Sequence, residues 1–595
     1  MEAQTMVASA ASTGSKTIAD LIALAAEKHA DKVAVRFKRE GAWQEVSYAE
    51  LGATVREIGL GLIDLGIAAG ERVCILCNTR PEWTYADFAI SSAGATVVPV
   101  YPTNSPEECE WVAGNSEAVA VICEDASQVA KIAEVRERLP NLRHVVVVDG
   151  EDAPGDVVTL EALRERGRGR DAAELAQRSA AVTREDAFTF IYTSGTTGPP
   201  KGCVLSHGNY RDVLDMCETL DMVDPDEVVY LFLPLAHAFA LLVQLVAMDV
   251  GSTIAYFGGD PKQIIPELSE VKPTYFPSVP RIFEKLYTVV TSHADPDQIR
   301  QAVAVGLKVR ELEAAGQPVP EELQRGYDQA EEKLFKNVRA AFGGRVRQAV
   351  TGAAPIAQEI LEFFYACGVP VLEGYGMTET STVATYSTIE HHRFGTVGRA
   401  LPGCELRIAD DGEILIKGGN IFRGYYKNDD ASFGAVVDGW LHTGDLGSLD
   451  DDGYLSITGR KKDIIITAGG KNLTPANLEN DLKQSRWISQ AVMHGDRRPF
   501  PVALITLDPE EIVQFAREHG LPEDIPSLAL EPKVHELVQA RLDEVNVKYA
   551  QVEQIKKFVI LDHDLSQETG ELTPTLKVKR NVVNEKYAEL FDELY

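Results

Sequence analysis

The 595-residue sequence lacks an excess of basic residues and a secretory start. Its 58 Lys and Arg residues are outnumbered by 90 Asp and Glu residues, which gives a formal net charge of −32. This balance argues against a nucleic-acid-binding protein, which normally carries a basic surface. It also argues against binding to anionic lipid through a polybasic segment. Residues 1–4 also lack the basic segment and apolar run that open a secretory signal.

Long apolar runs are missing as well. The longest one, near residues 238–248, is interrupted by Gln244 and followed by Asp249. A bilayer-spanning helix needs about 20 apolar residues, so we predict no transmembrane segment. We expect a cytoplasmic protein and leave open both peripheral contact with a membrane and the choice between monomer and homodimer.

The eight cysteines are too few, in a chain of this length, to form a disulfide framework. This predicts a reducing compartment. Cys74 and Cys77 form a CxxC, but they lie in RVCILCN, an apolar run of strand length. We interpret them as small buried strand residues rather than as a redox pair.

Strand-like and helix-like segments alternate in the first 150 residues, which is typical of βαβ units. The segments are 72–78 (strand), 81–94 (helix), 95–101 (strand), 118–124 (strand), 126–138 (helix) and 144–150 (strand). Residues 402–458, rich in Gly and Asp, predict a small β region. We therefore predict an α/β fold with two parallel-type sheets and a small β region in a large N-terminal part, followed by a smaller, mobile α+β domain.

A glycine-rich loop, YTSGTTGPPKG at 192–202, follows the strand-like run 188–191. Glycines permit unusual backbone conformations, and hydroxyls, free N–H groups and one ammonium suit a polyphosphate. The spacing is not that of a Walker A loop. The candidate phosphate-binding residues are Thr193, Ser194, Gly195, Thr196, Thr197, Gly198 and Lys201.

This loop resembles the phosphate loop of the adenylate-forming superfamily, which includes acyl-CoA synthetases, peptide-synthetase adenylation domains and luciferases. Further segments of that superfamily follow in its order. They are TGAAP (351–355), EGYGMTETS (373–381), GWLHTGDLG (439–447), TGRKKDIII (458–466) and GELTPTLKVKR (570–580).

The resemblance implies roles for individual residues of the nucleotide site. Tyr375 would stack near adenine, Thr378 would contact phosphate, and Glu379 would ligate Mg²⁺. Asp445 would accept the ribose hydroxyls as a two-oxygen acceptor, and Arg460 would contact the nucleotide near ribose and phosphate. Other implied nucleotide contacts are Gly352, Ala353, Ala354, Glu373, Gly374, Gly376 and Met377.

The resemblance also implies a domain organisation. We expect a loose tail over 1–16, an adenylation domain over 17–459, a hinge at 460–463 with Lys462 as its pivot, and a C-terminal domain over 464–595. Lys577 matches the catalytic lysine of that domain. Its ammonium would stabilise charge at the α-phosphate, and preorganised charge of this kind is typically worth about 3–4 kcal/mol.

Three features resemble the long-chain fatty acid branch of the superfamily: a helical insertion at about 284–340, SVPRIFEKL at 278–286, and the ending QETGELTPTLKVKR at 567–580. Apolar burial of each methylene, worth about 0.8 kcal/mol, would favour long acids. Tunnel residues for the acyl chain and coenzyme A would be His237, Phe239, Ala240, Leu241, Gly469, Gly470 and Lys471.

We therefore predict an enzyme that uses ATP and Mg²⁺ to convert a long-chain fatty acid to acyl-adenylate and then forms a thioester with coenzyme A. One alternative is a ligase that delivers the acyl group to a carrier protein, although no carrier domain is apparent in the sequence. Another alternative is a non-catalytic lipid- or nucleotide-binding relative, which would usually have lost the loop, Glu379 or Lys577.

Overall fold

The structure is a computed structural model that describes residues 10–150, 157–193, 199–291, 295–573 and 576–595. Its first sheet has seven strands, parallel except for the antiparallel pair at the last edge. In spatial order the strands are Val158–Thr159, His144–Val147, Ala120–Cys123, Arg72–Leu76, Thr96–Val100, Ala187–Thr193 and Lys201–Ser206.

A second sheet has nine strands, with a parallel centre and antiparallel strands at both edges. In spatial order these are Arg399–Ala400, Thr385–Tyr386, Val371–Tyr375, Gln348–Thr351, Tyr275–Ser278, Val228–Leu231, Thr253–Tyr256, Val33–Arg39 and Ala42–Ser47. The central strands are fully buried, as expected for parallel strands covered on both faces.

A small antiparallel sheet follows in the chain. Its strands are Glu405–Ile408, Glu413–Lys417, Val436–Val437, Trp440–Leu449 and Leu455–Arg460. Beyond it lie the strands of the C-terminal part, Ile465–Ile466, Asn472–Leu473, Ile488–His494, Val502–Leu507 and Lys557–Ile560.

Helices cover the two large sheets and build most of the C-terminal part. Those before residue 280 are Ile18–Lys28, Tyr48–Asp64, Pro81–Ser92, Pro106–Asn115, Ala126–Val135, Leu160–Arg168, Ala172–Ala181, His207–Thr219, Ala238–Val250 and Ile264–Val271. Those that follow are Pro280–Thr291, Pro296–Ala314, Glu321–Ala330, Lys336–Ala341, Gln358–Ala366, Asp429–Ala435, Pro475–Lys483, Pro509–His519, Ile525–Ala529, Pro532–Asn546, Arg580–Lys586 and Ala588–Glu593.

The predicted α/β class is confirmed, with two largely parallel sheets, a small β region and a smaller α+β C-terminal part. The largest apolar core contains side chains from both large sheets, including Val73 and Val229. A separate core lies in the C-terminal part. Four helices lie within residues 280–341, where the helical insertion was expected.

All eight cysteines are free, and seven of them are buried. Cys74 lies in the strand Arg72–Leu76, where burial raises its thiol pKa to about 12. This agrees with a packing role, since reactive cysteines have lowered pKa values. No helix in the described ranges is both long enough and apolar enough to cross a bilayer.

A buried cluster of charges joins the beginning of the chain to two helices. Arg211 Nη2 lies 2.9 Å from Asp249 Oδ2 and 2.9 Å from Glu218 Oε1, and all three side chains are at most 3% exposed. Ser12 Oγ donates to Asp249 Oδ2 at 2.9 Å, and Ser15 Oγ accepts from Arg211 Nη1 at 2.8 Å. The expectation of a loose tail over 1–16 therefore does not hold for Ser12 and Ser15, because one hydroxyl donates to the buried carboxylate and the other accepts from the buried guanidinium.

We predict that Arg211→Met destabilises the protein by about 3–5 kcal/mol, because it leaves buried carboxylates without their counter-charge. The free energy of urea unfolding measures this. The matched control is Arg184→Met, which removes a partly exposed guanidinium 2.5 Å from Asp212 and should cost about 1 kcal/mol or less. Equal losses in the two variants would contradict the importance of the buried cluster.

Candidate active site

A cavity of about 1570 Å³ lies between the N-terminal and C-terminal parts and is lined by residues of both. The strands Ala187–Thr193, Gln348–Thr351 and Val371–Tyr375 end at its wall. Ligands of α/β proteins bind at the carboxyl ends of parallel strands, so this cavity is the candidate active site.

The predicted phosphate loop is closed by a strand pair. Thr193 ends one strand, Lys201 begins the next, and the two are antiparallel partners whose side chains line the cavity. Lys201 Nζ lies 5.1 Å from the centroid of the Tyr425 ring, a cation–π distance. The remaining candidates, Ser194, Gly195, Thr196, Thr197 and Gly198, lie outside the described residues.

The strand Val371–Tyr375 is followed closely by a short helical turn, Thr378–Thr380, which contains Glu379. Its Oε1 accepts a hydrogen bond from Tyr425 Oη at 2.6 Å. Tyr425 therefore connects Glu379 to the ammonium of Lys201. Thr378 is buried at the same wall.

The residues predicted to lie beside adenine belong to backbone segments that pack closely together. Gly352, Ala353 and Ala354 follow the strand Gln348–Thr351 and line the cavity, and Ala353 has a left-handed φ of 68°. A Cβ at Gly376 would lie 2.2 Å from the carbonyl oxygen of Thr382, so only glycine fits there.

Further predicted nucleotide contacts, Glu373, Gly374 and Met377, line the cavity wall. Burial raises the pKa of the Glu373 carboxyl to about 8. Its neutral form is therefore favoured at pH 7, and as a protonated acid it can donate a hydrogen bond as well as accept one.

Asp445 is buried and receives two donors from different parts of the fold. Tyr375 Oη donates to Oδ2 at 2.8 Å, and Arg460 Nε donates to Oδ1 at 2.6 Å. Arg460 is the antiparallel partner of Asp445 across the strands Trp440–Leu449 and Leu455–Arg460. A carboxylate has about four lone-pair sites, so Asp445 can still accept hydroxyl donors of a ligand.

Lys577 brings the C-terminal part into the site. Its side chain is exposed to the solvent of the cavity. Desolvation by the cavity walls and then repulsion from Arg460 lower the pKa of its ammonium to about 8, against the opposite influence of Asp445 and Glu379. Burial, followed by the nearby Lys577, lowers the pKa of His237 to about 3.

One face of the helix Ala238–Val250 forms an apolar wall of the cavity. Phe239, Leu242, Val243 and Val246 line it, together with His237, which caps the helix by accepting from Phe239 N at 3.2 Å. The spacing i, i+3, i+4, i+7 places these residues on one face. The expected tunnel residues Ala240 and Leu241 belong to other faces and are fully buried in the core, so the structure does not bring them to the cavity.

The residue predicted for the hinge lies at the edge of the cavity, and those predicted to contact coenzyme A lie outside it. Lys462 is exposed in the turn Lys461–Asp463 at the edge of the cavity. Gly469, Gly470 and Lys471 form an exposed loop that does not line the cavity, and Lys471 Nζ lies 3.9 Å from Glu553 Oε1.

Sequence reasoning missed several residues of the site. Leu242, Val243 and Val246 could have been found by extending the helical spacing from Phe239. Tyr425 had no such signal, because its contacts with Lys201 and Glu379 exist only through tertiary structure.

Comparison with known proteins matches both parts of the chain to a family. Residues 22–426 match the family described as AMP-binding enzyme, and residues 462–595 match the family described as AMP-binding enzyme C-terminal domain. In fold, the protein is similar to the adenylation domain of a carboxylate reductase from Mycobacterium chelonae, with a TM-score of 0.78 and 21% identity over 98% of this chain and 92% of that one.

Two curated relatives are similar over almost the whole chain. One is long-chain-fatty-acid–CoA ligase FadD15 of Mycobacterium bovis, 41% identical over 93% of each chain. The other is long-chain-fatty-acid–CoA ligase ACSBG2 of Xenopus laevis, 33% identical over 97% of this chain and 84% of that protein. The chain therefore belongs to the AMP-binding enzyme family.

Proposed function

We propose that the protein is a long-chain fatty acid–CoA ligase that forms acyl-adenylate from a fatty acid and ATP and then acyl-CoA. The observation that carries this is the position of Lys577. It lines the same cavity as His237 on the apolar wall and as Asp445 and Glu379 on the polar wall. Relatives 41% and 33% identical carry the same activity in their names.

In the first step, a carboxylate oxygen of the fatty acid attacks the α-phosphorus of ATP. The bond from that phosphorus to the leaving oxygen breaks, and pyrophosphate departs. Asp445 and Arg460 orient the nucleotide, while Lys577 stabilises the charge that grows on the α-phosphate oxygens. Positioning and preorganised charge are the main contributions that a protein makes to such a transfer.

The site also fits Mg²⁺ that arrives with ATP. Among the described residues, no group of three or more His, Cys, Asp and Glu side chains is placed to hold a metal ion. One carboxylate, Glu379, lies at the cavity with an orienting donor from Tyr425. Mg²⁺ is usually held by one or two carboxylates plus substrate phosphates, and there it would neutralise phosphate charge.

In the second step, the thiol of coenzyme A attacks the acyl carbonyl, loses its proton, and displaces AMP. Gly469, Gly470 and Lys471 lie away from the cavity while Lys577 lies inside it. We infer that the C-terminal domain, from residue 464 onward, turns about Lys462 after the first step. This turn would withdraw Lys577 and bring the glycine loop to the site.

The competing functions have less support. Delivery to a carrier protein would use the same adenylation site, and acyl products formed with and without coenzyme A distinguish the two acceptors. A non-catalytic relative is disfavoured because Glu379, Asp445 and Lys577 are all retained at the cavity.

We also place the protein in the cytoplasm, which suits its eight free cysteines.

The direct test is coenzyme A-dependent release of AMP, measured with saturated fatty acids of graded length. We expect AMP and acyl-CoA in equal amounts, with the highest kcat/KM for long chains. Pyrophosphate release without thioester formation would instead favour a carrier-protein acceptor.

Lys577→Ala should lower the rate of adenylation by about 10²–10³-fold, because the charge at the α-phosphate loses its preorganised partner. Formation of acyl-CoA from supplied acyl-adenylate should remain close to wild type. The two half-reactions are measured by fatty-acid-dependent ATP–pyrophosphate exchange and by acyl-CoA release. An equal fall in both would contradict the assigned role.

Adenylation should depend on pH through Lys577. With a pKa of about 8 in the free enzyme, the ammonium is charged below that pH and is lost as pH rises above it. We therefore expect kcat/KM of the exchange reaction to fall above about pH 8. In Lys577→Arg the guanidinium stays charged, so whatever activity remains should lack this fall.

The apolar helix face should set the acyl length. Val246→Trp adds volume at the cavity wall and should shift the kcat/KM optimum towards shorter acids, since each excluded methylene loses about 0.8 kcal/mol. Leu245→Met is the control, because Leu245 is buried on another face of the same helix. A shift of the same size in the control would contradict the assignment.

A further inference from the structure

Glu571 is a buried carboxylate that the mechanism above does not use. It lies in the segment GELTPTLKVKR and its side chain is 0% exposed. It is six residues before Lys577 and directly precedes Leu572, which pairs with Val578 in an isolated antiparallel bridge. Glu571 therefore lies at the base of the hairpin that carries Lys577.

Both oxygens of this carboxylate are occupied by donors. Oε1 accepts from Lys586 Nζ and, at 2.8 Å, from Tyr587 Oη. Oε2 accepts from Thr569 Oγ1 and, at 3.3 Å, from Ser566 N. Burial raises the pKa of Glu571, but these donors outweigh burial and lower it to about 2. The carboxylate is therefore charged throughout the neutral range.

The donors tie the hairpin to two different supports. Ser566 and Thr569 belong to the chain that enters the hairpin. Lys586 ends the helix Arg580–Lys586, and Tyr587 packs in an apolar cluster with Val583 and Phe591. Hydrogen bonds to a charged group are stronger than those between neutral groups, and the buried carboxylate accepts several of them.

The backbone carries this anchorage to Lys577. The carbonyl oxygen of Glu571 accepts from Lys579 N at 2.7 Å, and that of Lys577 accepts from Thr573 N at 2.8 Å. Lys577 N in turn donates to Thr573 Oγ1 at 3.0 Å. Between these bonds, Leu576 has a left-handed φ of 59°, a conformation that is unfavourable for a residue with a side chain and must be held by its surroundings.

We infer that Glu571 is a positioning residue for adenylation, whose buried carboxylate fixes the base of the hairpin so that Lys577 enters the cavity at the correct place. Glu571 itself does not touch the reacting atoms. This inference rests on the proposed function, because it assigns Lys577 to adenylation and not to thioester formation.

The first test is Glu571→Gln in the full-length protein. A misplacement of about 1 Å can cost up to about 100-fold in rate, so we expect ATP–pyrophosphate exchange to fall about 10- to 100-fold. Acyl-CoA formation from supplied acyl-adenylate should stay within about twofold, because Lys577 is not used in that step. A purely structural loss would lower both half-reactions together, and that result would overturn the inference.

Two further variants control for folding and for charge. Glu568→Gln neutralises an exposed carboxylate in the same segment and should leave both half-reactions unchanged. Tyr587→Phe removes one donor but keeps Glu571 charged beside Lys586, so it should lower only the exchange reaction, and by less than Glu571→Gln does. If Glu568→Gln matched Glu571→Gln, the effect would be one of net charge.

A double variant separates positioning from an independent effect. If Glu571 acts through Lys577, then Glu571→Gln added to Lys577→Ala should lower exchange no further than Lys577→Ala alone. A multiplicative loss would overturn the inference. Wild-type protein that failed to release AMP with fatty acid, ATP and coenzyme A would instead refute the proposed function, so the two failures are distinguishable.

Discussion

The site depends on bringing one ammonium group, that of Lys577, among partners from a different part of the fold. The N-terminal part supplies the two carboxylates, Asp445 and Glu379, and the competing cation Arg460. Desolvation, followed by repulsion from Arg460, outweighs the attraction of the two carboxylates and lowers the pKa of Lys577 to about 8, so the group is still mostly charged at neutral pH. An ammonium in a closed ion pair would have less charge to offer an incoming phosphate.

Each of the two carboxylates on the polar wall is oriented by hydrogen-bond donors of the protein that occupy only part of its acceptor capacity. Tyr375 and Arg460 occupy one oxygen each of Asp445, and Tyr425 occupies one oxygen of Glu379. Such contacts fix the direction of a carboxylate and leave lone pairs for a ligand. The apolar wall on the helix Ala238–Val250 lies beyond His237, whose low pKa keeps it neutral beside Lys577. Charge is therefore concentrated on the side of the cavity that carries Asp445 and Glu379.

The sequence allowed the parallel strands to be predicted, since fully buried strands are continuous apolar runs such as RVCILCN and HVVVVDG. It also indicated Asp445, Glu379 and Lys577 through ordered motifs that resemble a known superfamily. Their mutual placement could not be predicted from spacing alone, nor could Tyr425, which reaches Glu379 from 46 residues away in the chain. Ala240 and Leu241 show the limit of a contiguous motif, because only one face of a helix can line a cavity.

The contacts between the two parts of the protein are weaker than the contacts within the C-terminal part that anchor the hairpin of Lys577. Only the first group would break in the proposed rotation. Between the two parts, Arg281 lies 2.8 Å from Asp508 and Lys285 lies 3.0 Å from Glu510, and both pairs are partly exposed. Exposed pairs of this kind contribute about 0–1 kcal/mol each, so exchanging them costs little. Within the C-terminal part, the Glu571 carboxylate is buried and accepts from the charged Lys586 and from Tyr587. In the proposed rotation the hairpin would therefore move with its domain as one piece, since its anchoring carboxylate is buried whereas these two ion pairs are partly exposed.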